Sequence, residues 1–219
     1  MLLVVDLDGT LVDSLDDIRF GIRAALAAIG IAATDDLIDL CRRGVGLEVF
    51  YRRATGHAPG AADQRARFDR FVAAYRDAYA ASPHDTRAYD GVADTLAALR
   101  ARHPRLAVAV ATAKRTAMAR QVIDSVGLAP LVDAVVGSDG LPAKPDPAIV
   151  RRAAAAVRRP LAGAVMVGDT DRDVGAARAA GCVACAVTYG GWTRDELAAL
   201  APDYLLDRFA DLLDVAALA

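Results

Sequence analysis

The sequence predicts an α/β protein, a Rossmann-like parallel-sheet core with an inserted α-helical cap domain, and three observations predict it. Short apolar runs recur at residues 2–5, 106–111, 134–136, 164–167 and 183–187. Helix-compatible stretches rich in Ala, Leu and Arg separate the later runs, and such alternation indicates parallel strands with helices on both faces. Between the first run and the second lie about one hundred residues, far more than one crossover needs, so something is inserted there.

The insertion spans residues 14–87 and shows helical spacing in 16–29, 35–43, 47–54 and 62–80, with no convincing strand. It reads as a small helical bundle, leaving 1–13 and 88–219 as the core. Its exit, Tyr89-Asp90-Gly91-Val92, reads as a turn, and a helix over 93–102 returns the chain to the alternating pattern. Alanine is abundant but spread through the helices, where its propensity is high.

Composition narrows the function. The 219 residues carry 26 basic and 28 acidic side chains, a formal charge of −2, which offers no broad basic surface for nucleic acid or an anionic membrane. No apolar run approaches the roughly 20 residues of a membrane-spanning helix. The expected partner is a small molecule, and the expected state a monomer or homodimer. Met1 leads directly into Leu2-Leu3-Val4-Val5 without the basic start and longer apolar stretch of a secretory signal, so a cytoplasmic location is expected. Cys41, Cys182 and Cys185 are too few for a disulfide framework. His57, His84 and His103 lie far from the acidic motifs and read as surface residues, while Tyr189 and Trp192 read as packing against the sheet edge.

The first strand runs into Asp6-Leu7-Asp8-Gly9-Thr10. This places two carboxylates at the carboxyl edge of the sheet, where ligands of open α/β folds bind. Gly9 permits a sharp turn, letting both acids face a pocket. Two acids at the end of a buried strand repel one another unless a cation or proton intervenes. The second strand ends at Thr112, whose hydroxyl suits a phosphoryl oxygen or a local cap. After the third comes Lys144-Pro145-Asp146-Pro147, where two prolines stiffen the turn around a lysine that either neutralises the acids or stands in solvent. The fourth enters Gly168-Asp169-Thr170-Asp171-Arg172-Asp173, just before a helix over 174–180. Asp169 and Asp173 are the metal candidates there, with helix capping the alternative use. Several carboxylates against one lysine make a setting that Mg²⁺, a hard oxygen-seeking cation, stabilises.

These motifs resemble, in order, those of the haloacid dehalogenase-like hydrolases, and within them the phosphoglycolate phosphatase-like group with a helical cap. The resemblance rests on the segment from Asp6 to Ser14, Thr112 with Lys114, Lys144-Pro145-Asp146-Pro147, and Gly168-Asp169 with Asp173. It continues through Ala180-Gly181, Tyr189-Gly190 and Pro202-Asp203, covering the core, while the cap matches in length and helical character. It implies that Asp6 is the nucleophile, and that Asp8 protonates the leaving oxygen and then activates water. It implies that Thr112 and Lys144 hold the phosphoryl oxygens, and that Mg²⁺ binds the Asp6 carboxylate, the Asp8 carbonyl and Asp169. Asp173 then supports the metal's waters or Lys144. The expected substrate contacts are Arg42, Thr112, Ala113 and Lys144. Ala113 departs from the Asn common in relatives, and Glu48 stands where the related cap segment usually has a second glycine.

The expected activity is Mg²⁺-dependent hydrolysis of a phosphomonoester, 2-phosphoglycolate, through a phosphoaspartate. A phosphosugar phosphatase or phosphoglucomutase-like transferase shares the same core motifs. A phospho-acceptor signalling domain also clusters acids, a Thr and a Lys, but is shorter and lacks the Asp-x-Asp start. A dehalogenase would lack the acid two positions after the nucleophile.

Overall fold

Leu2–Val5 forms β1, a strand of four residues that are all essentially inaccessible to solvent. The computed structural model describes residues 1–60, 63–82 and 86–218. In it the chain divides into two compact units, one of Met1–Asp13 with Arg87–Ala219 and the other of Ser14–Thr86. After β1 comes β2 (Val12–Asp13), then the helical unit with α1 (Leu15–Ala28), α2 (Asp35–Asp39), α3 (Leu47–Thr55) and α4 (Arg65–Ala80). The chain re-enters the first unit in β3 (Arg87–Ala88), which pairs antiparallel with β2 so that Asp13 faces Arg87. The points of departure and return are therefore adjacent, which is what lets a large insertion interrupt a sheet without disturbing it.

The rest of the first unit alternates: α5 (Val92–Arg102), β4 (Ala107–Ala111), α6 (Thr116–Ser125), β5 (Ala134–Val136), α7 (Ala148–Ala156), β6 (Val165–Gly168), α8 (Asp171–Ala180), β7 (Val183–Val187), α9 (Arg194–Ala199) and β8 (Tyr204–Leu206). The six main strands are all parallel, in the order β5-β4-β1-β6-β7-β8. The chain thus builds outward from β1 to one side and then crosses to the other. Because successive strand residues face opposite sides, one face presents Ala107, Ala109, Ala111, Ala184 and Ala186 with Leu2, Val4 and Met166, and these join buried residues of α7 and α8 in one cluster. Alanine on both sheet and helices lets the helices approach closely, which explains the chain's alanine content better than helix propensity alone.

Three strands were not legible as such. The segments β2, β3 and β8 are only two or three residues long, and their pairing, not their composition, makes them strands. The helix read over 35–43 is in fact α2 followed by a 3₁₀ turn, Leu40–Arg43. The helix read over 174–180 begins earlier, at Asp171, because Thr170 sits at its N-cap and Asp173 reaches back to the Thr170 backbone. That read over 62–80 is described from Arg65, and Ala62 lies outside the described residues, as does His84.

The helical unit is held by its own interior. Helices α1 and α4 pack along one another, and Tyr51 meets Phe68 and Phe71 edge-on at 5.2 and 5.9 Å between ring centroids. Asp17, buried in α1, accepts from the hydroxyl of Ser82 and from the amide and hydroxyl of Thr86, at 3.1 and 2.5 Å for the latter two, so the first helix is tied to the residues that end the unit. No helix among the described residues is long and apolar enough to cross a membrane.

Candidate active site

The end of β1 positions the first carboxylates. The Asp6 amide still donates to Val167 of β6, at 2.9 Å, so Asp6 is held at strand register as the chain leaves the sheet. Its Oδ1 accepts from the Leu7 amide at 2.8 Å. A tight turn follows, with the Leu11 and Val12 amides both donating to the Leu7 carbonyl. Gly9 takes φ +78 within it, a conformation costly for any residue with a Cβ. The same turn buries Thr10, whose hydroxyl donates to Asp169 Oδ1 at 3.1 Å across the β1–β6 edge.

Three further strand ends converge on this point. Thr112, past β4, donates its amide to Val136 and is 1% exposed. Lys144 arrives from the loop between β5 and α7. Its ammonium donates to the Ala111 carbonyl at 3.2 Å and lies 2.9 Å from Asp6 Oδ2 and 2.6 Å from Asp173 Oδ1. Asp169 follows β6 and accepts from the Gly191 amide at 2.7 Å. A Cβ on the neighbouring Gly190 would stand 2.4 Å from both Asp169 Oδ2 and the Gly9 carbonyl, so a bare backbone is required where this loop crosses the site. The capping role foreseen for one of these acids and the Lys144-supporting role both fall to Asp173. Its Oδ1 meets Lys144, while its Oδ2 accepts from the Thr170 amide and hydroxyl.

Charge does not balance within this group. Asp6, Asp169 and Asp173 are buried with ligand atoms within 4.8 Å of one another, and one ammonium, Lys144, lies among them. Three carboxylates against one ammonium leave two negative charges, the deficit a divalent cation neutralises. Protonation is the alternative, and the two effects show in the acidities. Burial pushes the Asp6 carboxyl up to about 7 against the opposing pull of Lys144. Burial, reinforced by the negative charges of Asp173 and Asp6, pushes Asp169 up to about 8. For Lys144, burial opposes the ammonium, but Asp173 and Asp6 outweigh it and hold the proton more firmly than in an ordinary lysine. An oxygen-rich, buried, doubly negative set fits Mg²⁺ and suits neither soft metals nor an apolar ligand.

Asp8 is placed differently from its neighbour two positions earlier. Its carboxylate is outside the three-carboxylate group and pairs with Lys114 at 2.5 Å. Ala113, between Thr112 and Lys114, is exposed in the same loop, and Arg42 is exposed in the 3₁₀ turn of the helical unit. His57 is exposed and His103 half-buried. The three cysteines are free and buried, and burial pushes the Cys41 and Cys185 thiols up to about 11 and about 12, so neither is a ready nucleophile.

Two contributors were not singled out from sequence. Tyr189 does more than pack: its hydroxyl donates to the Thr10 carbonyl at 2.7 Å, and its ring lies 4.6 Å from that of Tyr89. Lys114 was quoted only as part of a motif. A signal was there: the chain has 24 arginines and two lysines, Lys114 and Lys144, and both lysines are buried at this sheet edge. Arginine and lysine exchange freely on a solvated surface but not at a compact buried pair.

A buried acid at the end of β1, a buried lysine and a set of metal-fitting carboxylates thus gather at one edge of a parallel sheet. The family model for haloacid dehalogenase-like hydrolases matches residues 1–181. A phosphoglycolate phosphatase of Rhodospirillum rubrum is 35% identical over 219 residues, covering 96% of this chain and 88% of that protein. One from Cereibacter sphaeroides is 38% identical over 184 residues, covering 81% and 80%. Among solved structures, one described as a predicted phosphoglycolate phosphatase from Haemophilus somnus superposes with a TM-score of 0.82 at 30% identity, covering 98% of this chain and 96% of that one. The chain belongs to the haloacid dehalogenase-like hydrolase family.

Proposed function

We propose that this phosphatase hydrolyses 2-phosphoglycolate, with Asp6 as the nucleophile and Mg²⁺ as the cofactor. The observation that carries the reading is the position of Lys144, whose ammonium bridges Asp6 and Asp173 inside a carboxylate group that still lacks two positive charges. A site so arranged receives a phosphate dianion only with a cation beside it. The named activity of the relatives supports the choice of substrate.

In this reading a carboxylate oxygen of Asp6 attacks phosphorus, and the bond from phosphorus to the ester oxygen breaks. Asp8, taking up a proton from solvent as the ester binds, passes it to that oxygen, so glycolate leaves as the alcohol and an aspartyl phosphate remains. Asp8, now a carboxylate, takes a proton from water as the water oxygen attacks the same phosphorus, releasing inorganic phosphate and restoring Asp6. The Thr112 hydroxyl, the Ala113 backbone and the Lys144 ammonium hold the phosphoryl oxygens and stabilise their charge as it spreads. Asp6, the Asp8 carbonyl and Asp169 hold the Mg²⁺, with Asp173 keeping Lys144 in place; the ion supplies positive charge to the phosphoryl group. Arg42, from the helical unit, is assigned to the substrate carboxylate.

Phosphate release from a panel of monoesters, including 2-phosphoglycolate and several sugar phosphates, tests this in Mg²⁺ and in EDTA. Metal-dependent turnover with phosphoglycolate preferred is the expected result. A preference for sugar phosphates moves the substrate and keeps the chemistry, and equal rates in EDTA remove the metal from the reading.

A further inference from the structure

Asp169 is held at both of its carboxylate oxygens, and both holds lead back to one residue that the reaction above does not use. Oδ1 accepts from the Thr10 hydroxyl at 3.1 Å, and the Thr10 carbonyl in turn accepts from the Tyr189 hydroxyl at 2.7 Å. Oδ2 accepts at 2.7 Å from the amide of Gly191, two residues beyond Tyr189. Thr10 is wholly buried and Asp169 is 3% exposed, so water does not readily stand in for the Thr10 hydroxyl. Gly190 and Gly191 bring no side chain of their own, and glycine has the most backbone freedom to lose. The amide that reaches Oδ2 is therefore fixed by its flanks. On one side Trp192 packs against the core cluster. On the other, Tyr189 reaches the Thr10 turn through its hydroxyl and stands against the Tyr89 ring, with 4.6 Å between centroids. Thr188, just before it, donates its amide to the Leu206 carbonyl at 3.0 Å.

We propose that Tyr189 is a positioning residue that makes the site selective for Mg²⁺ over larger divalent cations, by holding the Thr10 and Gly191 donors that orient the Asp169 carboxylate. This rests on the reading of Asp169 as a Mg²⁺ ligand given above and names the residue that steadies it. Each carboxylate oxygen has more than one lone pair, so a single hydrogen bond on each leaves capacity for a cation. Mg²⁺ demands near-ideal octahedral geometry with short bonds, whereas Ca²⁺ accepts longer and more variable ones. A carboxylate fixed at both oxygens suits the first cation, and one free to swing serves the second at little loss. The hydroxyl of Tyr189, and not its ring, carries the effect, because a phenyl ring at the same place keeps the contact with Tyr89 and loses only the bond to Thr10.

The test is calorimetric titration of the ester-free protein with Mg²⁺ and with Ca²⁺, in wild type and in Tyr189→Phe. The dissociation constant for Mg²⁺ should rise about 10-fold, the low end for losing a partner that orients a metal ligand, while that for Ca²⁺ changes less than about threefold. The melting temperature in EDTA, measured on the same samples, reports any loss of fold separately. Equal weakening of both cations, or a lower metal-free melting temperature with both dissociation constants unmoved, overturns the inference and leaves the Mg²⁺ reading intact. Wild-type protein that binds neither cation overturns the Mg²⁺ reading, and this inference with it. Should Tyr189→Phe not fold in EDTA, Thr10→Val and Thr10→Ser test the same link one step nearer the carboxylate. Mg²⁺ binding weakened more than Ca²⁺ binding by the valine, and kept by the serine, supports the inference, and no difference between the two variants refutes it.

Discussion

Gly9 and Asp169 meet so closely that a Cβ atom on Gly9 would lie 2.2 Å from Asp169 Oδ2. The glycine also carries φ +78, so two independent constraints act on one residue. Gly9→Ala must therefore strain the turn and displace a carboxylate of the metal-fitting group. The expected cost is about 1–2 kcal/mol from the backbone alone, and activity should fall on the order of 10–100-fold through weaker metal binding. Thermal melting and Mg²⁺ titration of the rate check this together. A variant as active as wild type at limiting Mg²⁺ would show that Asp169 does not serve the metal.

Lys144 ties Asp6 to Asp173, and removing it leaves both carboxylates buried without their ammonium. Lys144→Met should destabilise the fold by about 3–5 kcal/mol, the range for a buried ion pair broken from one side, and abolish turnover. Urea denaturation in EDTA measures the first. A loss below 1 kcal/mol would mean that water or protonation already compensates the pair.

Asp6→Asn separates chemistry from stability. The carboxylate it replaces is destabilised by burial, and the amide keeps the shape while removing one negative charge from a group with an excess of two. Turnover should drop to background while the metal-free melting temperature stays level or rises. Retained phosphate release would falsify the nucleophile assignment.

Much of this site is readable along the chain because β1, β4 and β6 are adjacent and parallel. In such a sheet the first one or two residues past each apolar run fall at a common edge, so Asp6, Thr112 and Asp169 are found by locating where each run ends. The pairings are another matter. Lys114 and Asp8 are 106 residues apart and Thr10 and Asp169 are 159 apart, and what joins them is the order of strands in the sheet, which local patterning does not encode. The hydroxyl of Tyr189 was hidden for the same reason: its ring reads as apolar packing until the Thr10 carbonyl is seen beneath it. The short strand β8 carries too few residues for periodicity to register.

In the helical unit, Asp17 is the residue whose loss should be felt most. It is 3% exposed and accepts from Ser82 and Thr86, closing the unit's first helix onto its end. Asp17→Ala leaves three buried or half-buried donors without an acceptor and should cost about 2–4 kcal/mol. Amide hydrogen exchange should show the loss as faster exchange within Ser14–Thr86. Protection reduced equally in both units would mean that the two unfold as one.

The acidities of Asp6 and Asp169 predict how stability depends on pH and metal. In the metal-free folded chain they titrate at about 7 and about 8, against an ordinary 3.8. Between pH 4 and 8, therefore, the folded state binds more protons than the unfolded one. Stability must then fall as pH rises through that window and level off above it. Mg²⁺ competes with those protons for the same carboxylates, so its stabilisation should be small at pH 5.5 and large at pH 8.5, reaching about 2.7 kcal/mol once free Mg²⁺ is a hundredfold above its dissociation constant. Melting curves across that range, in EDTA and in Mg²⁺, supply the check: the two should converge in acid and separate in base. Parallel curves, with the same metal increment at every pH, would mean that the ion binds away from Asp6 and Asp169, because only a cation that shares their oxygens must displace their protons.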